Sequence, residues 1–105
     1  MPTKIYISGP ISGTNDYMER FASMETRLQE LGYAVINPAK ECAHLPDSTT
    51  WKEYMSECLK MLLLCDAICM LKGWSNSKGA KIELDVASKC DLTVIYEIDM
   101  KEGDL

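Results

Sequence analysis

Apolar positions along this chain follow two periods in turn. Lys4–Ser8 (KIYIS), Tyr33–Ile36 (YAVI), Ala67–Leu71 (AICML) and Leu92–Tyr96 (LTVIY) are short dense runs rich in β-branched and aromatic residues. Such runs, bounded by Gly, Pro or Asn, predict strands. AICML shows no alternation, as expected of a strand covered on both faces. Between the runs the spacing widens to three and four. Tyr17, Phe21, Met24, Leu28 and Leu31 share one helical face, with Asp16 and Glu19 placed to cap its start and Gly32 to end it. Trp51, Tyr54, Met55, Cys58, Leu62 and Cys65 share another, opened by a Thr50/Glu53 capping box. Leu59, Leu63 and Leu64 widen that stripe, which predicts a second buried face and a homodimer or higher homo-oligomer through the 51–65 helix. A third helix begins near Lys78. Lys40–Thr49 is polar and reads as an irregular loop of lid length.

The resulting order, βαβαβαβ, predicts an α/β domain with a four-stranded parallel sheet, open to a fifth strand, and right-handed crossovers. One domain accounts for all 105 residues, with the acidic 97–105 stretch expected to fray. Ligands of such sheets sit beyond the carboxyl ends of the strands, where strand order reverses. Here those ends carry the loops GPISG, Asn37 onward, and KGWSNSKG.

Composition narrows the function. The net charge of -5 without basic clusters argues against a duplex nucleic acid partner. No apolar run approaches the ~18 residues of a membrane span, and the N-terminus resembles no secretion signal. The five cysteines form no C-x-x-C and lie mostly in apolar segments, which predicts reduced thiols in a cytoplasmic protein. Cys42 and His44 alone would not make a metal site, and no metal or organic cofactor is expected.

One residue breaks the pattern. Taking Ala80 as zero and about 100° per residue, Glu83 falls near 300°, in the middle of an arc shared with Ile82, Val86, Cys90, Ala87 and Leu84. Lys81, Asp85, Ser88 and Lys89 occupy the opposite side. Glu83 therefore faces the sheet, at the edge where the ligand crevice is expected. A carboxylate there costs several kcal/mol unless it is hydrogen-bonded or reaches a cavity. It is either satisfied by backbone amides or a lysine, or it is a nucleophile or general base tuned by its surroundings. The helix start, about one turn away, favours its charge.

The loops nearby are open to two readings each. Gly9, Pro10, Ile11, Ser12 and Gly13 form either a tight turn or a backbone cradle for an anion. Ser77 either caps the third helix or holds a phosphate, and Gly79 would let a ligand approach the backbone. Trp74 either stacks on a base or sugar or closes over the sheet edge. Tyr6 either fills the core or presents its hydroxyl to the crevice.

KIYISGPISG, CDAICML and SNSKGAKIELDVA, in that order, resemble the nucleoside 2-deoxyribosyltransferase family, closest to a branch often carried by phages or prophages. The resemblance implies a flavodoxin-like or Rossmann-like three-layer domain. It also implies cleavage or transfer at the N-glycosidic bond of a 2′-deoxynucleoside, or of its 5′-monophosphate. Glu83 matches the family's nucleophilic glutamate, Tyr6 a tyrosine beside the sugar, Ser77 the serine that holds a 5′-phosphate, and Gly9–Gly13 the first binding loop. One position departs. Where relatives carry an aspartate, eight residues before Asp66, this chain has Cys58, and the adjacent Glu57 points about 100° away. Asp66 itself reads as a helix-to-strand turn residue. The departure favours a second reading, a nucleotide-binding module without catalysis.

Overall fold

The computed structural model describes residues 2–100. Four strands, β1 (Lys4–Ser8), β2 (Ala34–Ile36), β3 (Ala67–Met70) and β4 (Thr93–Tyr96), form one sheet in the order β2-β1-β3-β4. All neighbours are parallel. The chain steps from β1 to β2 on one side and then crosses to β3 on the other. Strand order therefore reverses between β1 and β3, and the loops leaving their carboxyl ends part to open a crevice.

Four helices connect the strands: α1 (Tyr17–Glu30), α2 (Pro38–Glu41), α3 (Trp51–Leu62) and α4 (Lys78–Lys89). Strand alternation assigns their layers. Ile5, Ile7, Ala67 and Cys69 face one way and pack with Phe21, Met24 and Leu28 of α1. Tyr6, Ile68 and Met70 face the other way and pack with Cys58 and Leu62 of α3 and Ala80 and Ala87 of α4. Each large apolar side chain buried this way contributes about 1.5–3 kcal/mol.

Helix ends follow local chemistry. Thr50 is extended (φ -75°, ψ 161°), so its hydroxyl reaches the Glu53 amide while the Glu53 carboxylate accepts from the Thr50 amide, which completes the box. Asp16 departs from expectation: its ψ of 12° turns the side chain away and no cap bond forms with the first turn of α1. Gly32, at φ +94°, ends α1; its amide donates to Gln29 and the Tyr33 amide to Leu28, a Schellman turn.

Three further boundaries differ from the sequence reading. The loop after β2 opens with α2, because Asn37 accepts from the Lys40 amide and Pro38 suits the first helical position. α3 stops at Leu62, which leaves Leu63 and Leu64 outside. Glu97–Asp99 forms a 3₁₀ turn tied down by the Lys72 amide on the Glu97 carboxylate (2.7 Å), and 101–105 lies outside the described residues. Asp66 sits at the amino edge of the sheet, away from the crevice. Its carboxylate accepts from the Lys4 amide at 2.9 Å and its carbonyl from the Thr93 amide at 3.1 Å.

Candidate active site

β1 and α4 bring the site together. Residues two apart on a strand share a face, so Tyr6 and Ser8 both point toward α4. Along α4, Ala80, Glu83 and Ala87 are the buried positions, one per turn. The two alanines let the helix lie close to the sheet, and Glu83 between them is 6% exposed. Its Oε1 accepts a hydrogen bond from Ser8 Oγ at 2.7 Å, and its Oε2 accepts one from the Tyr6 hydroxyl. Hydroxyls, rather than backbone amides or a lysine, satisfy the carboxylate.

Above this trio lies a cavity of about 300 Å³. Its floor is the end of β1 and the Gly9–Ser12 loop. One wall is the inner face of α3, with Tyr54, Met55 and Cys58, and the rim is Asn76 to Gly79 at the start of α4. Glu83 and Lys78 are the charged side chains among the lining residues. Lys78 Nζ rests over the Trp51 ring, 4.6 Å from its centroid.

Burial pushes the Glu83 carboxyl above its ordinary value, and the Ser8 and Tyr6 hydroxyls pull it partly back. Glu83 is the sixth residue of α4, past the first turn, so the helix start helps it less than the sequence reading expected. Burial and then the nearby Glu83 charge drive the Tyr6 phenol far up, which keeps it a donor. Burial also lifts the Cys58 thiol to about 12, against the pull of the Tyr6 and Tyr54 hydroxyls. At neutral pH Cys58 is therefore a thiol and not a nucleophilic thiolate.

Of the residues singled out in the sequence, Tyr6, Gly9, Pro10, Ile11, Ser12, Ser77, Gly79 and Glu83 line the cavity. Gly13 and Trp74 do not. Gly13 turns the loop at φ +79°, and Trp74 packs on Tyr96 with ring centroids 5.9 Å apart. Ser77 caps α4, accepting from the Ala80 amide at 3.2 Å, while its hydroxyl still borders the cavity. The glycines serve packing as well: a Cβ on Gly9 would meet Leu71 Cβ at 2.8 Å, and one on Gly79 would meet Met55 Sδ at 3.1 Å. Sequence reasoning missed Ser8, Tyr54 and Met55 as site residues. Ser8 was readable from its two-residue spacing to Tyr6. Tyr54 and Met55 lie on a stripe that looks the same whether it meets a core or a cavity.

The fold is nucleoside 2-deoxyribosyltransferase-like, as superposition on a solved structure shows. The structure of 2-deoxyribosyltransferase from the psychrotolerant bacterium Bacillus psychrosaccharolyticus superposes with a TM-score of 0.71 at 16% sequence identity, over 89% of this chain and 70% of that one. That likeness is one of fold. By sequence, residues 3–96 match the family described as a domain of unknown function (DUF4406), and the chain belongs to that family. No curated protein matches the chain.

Proposed function

We propose that this protein cleaves or transfers at the N-glycosidic bond of a 2′-deoxynucleoside or its 5′-monophosphate. Glu83 is the nucleophile. The observation that carries this reading is a buried carboxylate, gripped by two hydroxyls, at the foot of a cavity beyond the sheet edge. A carboxylate oxygen bonds to C1′ as the bond from C1′ to the base breaks and its electron pair leaves with the base. Water or a second base then opens the glutamyl ester, and Glu83 is regenerated. The ionised form is required, and the two hydroxyl donors offset the cost of burial. At the rim, the first amides of α4 have no intrahelical acceptor and Lys78 adds a positive charge. Lys78 and Glu83 are five residues apart, about 7.5 Å along the axis, the scale of one pentose bearing one phosphate.

The test is incubation of purified protein with the four deoxynucleosides and their monophosphates, with free base followed by chromatography. Base release that Glu83→Gln abolishes supports the reading. One observation favours the alternative of a non-catalytic nucleotide-binding module: the thiol of Cys58 stands in the cavity wall where the resemblance implies an aspartate. Tight binding without release would establish that alternative, and neither binding nor release would remove both.

We place a second copy of the chain on the outer face of α3. Trp51 on that face and Leu63 and Leu64 just past its end are 42%, 55% and 68% exposed, and Trp51 and Leu63 line a groove with Leu59 and Ile82. Sedimentation that shows a dimer, and a monomer for Leu63→Lys/Leu64→Lys, would support this; a monomeric parent would refute it. The free state of all five cysteines supports a cytoplasmic setting, and no helix among the described residues is long and apolar enough to cross a membrane.

A further inference from the structure

Breaking a bond from C1′ to a nucleobase leaves an electron pair on a poor leaving group, and the cavity must supply a donor for it. The candidates are few. The Tyr6 and Ser8 hydroxyls are engaged by the two oxygens of Glu83. Ser12, Asn76 and Lys78 are solvent-exposed, and Ser77, whose oxygen caps α4, lies between the last two at the cavity mouth. Tyr54 differs from all of these. It is half-buried in the α3 wall, one turn before Cys58. The Thr50/Glu53 capping box just before it fixes where α3 starts, and so fixes its direction. Tyr54 lines the cavity together with the Cys58 thiol, a weak acceptor that leaves a phenol proton available to a stronger one. Burial, with the surrounding thiols and Glu83, keeps the phenol protonated.

We propose that Tyr54 is the catalytic residue that donates to the departing base, across the cavity from Glu83. This rests on the glycosidic reading above. As the bond to C1′ breaks, the base takes the phenol proton while a Glu83 oxygen bonds to C1′. In the second half, the water oxygen bonds to C1′ as the bond from C1′ to the Glu83 oxygen breaks and its electron pair returns to the carboxylate, while the water proton goes to the phenolate.

The test compares leaving groups. Wild type and Tyr54→Phe are assayed with the deoxynucleosides and their monophosphates, and with 4-nitrophenyl 2-deoxyriboside with and without a 5′-phosphate. Nitrophenolate leaves without a proton. Tyr54→Phe should lose about 100-fold or more in kcat on the nucleobase substrates, within the range of general acid catalysis, and little on the aryl glycoside. Equal loss on both, or none on either, would overturn the assignment while base release by the wild type kept the glycosidic reading. A wild type that cleaves neither substrate would end both. If Tyr54→Phe fails to fold, the solvent deuterium isotope effect on wild-type kcat/KM, which reports the step that expels the leaving group, decides: the assignment requires one with the nucleobase substrate and none with the aryl glycoside.

Discussion

Ser8 and Glu83 lie 75 residues apart in sequence and 2.7 Å apart in space, hydroxyl to carboxylate. The contact follows from two periodicities meeting, the alternation of β1 and the buried stripe of α4. Ser8 is 1% exposed, and its hydroxyl is the donor held against Oε1 of Glu83. Ser8→Ala would leave a buried carboxylate oxygen without its donor, at a cost of about 1–3 kcal/mol. The hydroxyl also pulls the Glu83 carboxyl down. Without it, the pH at which Glu83 ionises rises. The acidic limb of kcat/KM should move to higher pH in Ser8→Ala, and a pH–rate profile checks this. An unmoved limb would mean that Ser8 does not act on Glu83 during turnover.

Glu83 should also make the fold sensitive to pH. Burial raises its carboxyl above the ordinary 4.5. The folded state then holds the proton more tightly than the unfolded state, so the contribution of Glu83 to stability is greatest below 4.5 and is lost as pH rises through the folded value. Glu83→Gln has no charge to bury, and the Tyr6 and Ser8 hydroxyls can rotate to accept from its amide. The melting temperature of Glu83→Gln should therefore gain on wild type as pH climbs from 4.5, then level off. If Glu83 is the proposed nucleophile, glycosidic activity should fall by at least about 10⁴-fold. Glu83→Leu also removes the charge but strands both hydroxyls, so it should gain less stability.

Glu83 was legible in the sequence because the helical period fixes direction: a charge in the middle of an apolar arc faces inward in any packing. The strand runs and the βαβ order made the sheet legible for the same reason. What escaped was set by distance rather than period. Trp74 is open to two readings in the sequence, stacking on a ligand or closing over the sheet edge, and it lies against Tyr96. Nothing in KGWSNSKG reveals that its first turn, with Gly73 at φ +87°, aims the indole toward β4. Asp16 and Thr50 carry equally good capping patterns. They differ in backbone ψ, which tertiary contacts decide, and only Thr50 of the two forms its cap. Pro38, a residue type that ends strands, is also the first residue of α2.

The capping box of α3 should matter to the site as well as to the helix. Thr50→Ala removes the hydroxyl that accepts from the Glu53 amide at 3.1 Å. The expected cost is about 1 kcal/mol. In a domain of this size that lowers the melting temperature by roughly 4–8 °C. Because the box sets the first turn that carries Tyr54, substrate KM should rise along with the loss of stability. A melting temperature within about 1 °C of wild type would show that packing of Met55, Cys58 and Leu62 alone fixes the helix start.

Gly9 joins the first loop to the core through Leu71. A Cβ there would stand 2.8 Å from Leu71 Cβ and 3.1 Å from its Cδ1, closer than packed atoms tolerate. Leu71 is 1% exposed and held by the α1 layer, so it has little room to withdraw. Gly9→Ala should therefore force apart the carboxyl ends of β1 and β3, where the cavity floor lies, at a cost of about 1–3 kcal/mol. Leu71→Ala alone creates a cavity and costs about 2–5 kcal/mol. In the double variant the clash with the Leu71 γ and δ carbons disappears, although Cβ remains. The two penalties should then sum to less than their parts, by about 0.5–3 kcal/mol of coupling. Denaturant melts of the four proteins measure that coupling. Strict additivity would mean that the loop after β1 moves freely away from β3, and the cavity floor would then owe its shape to Pro10 and Ile11 instead.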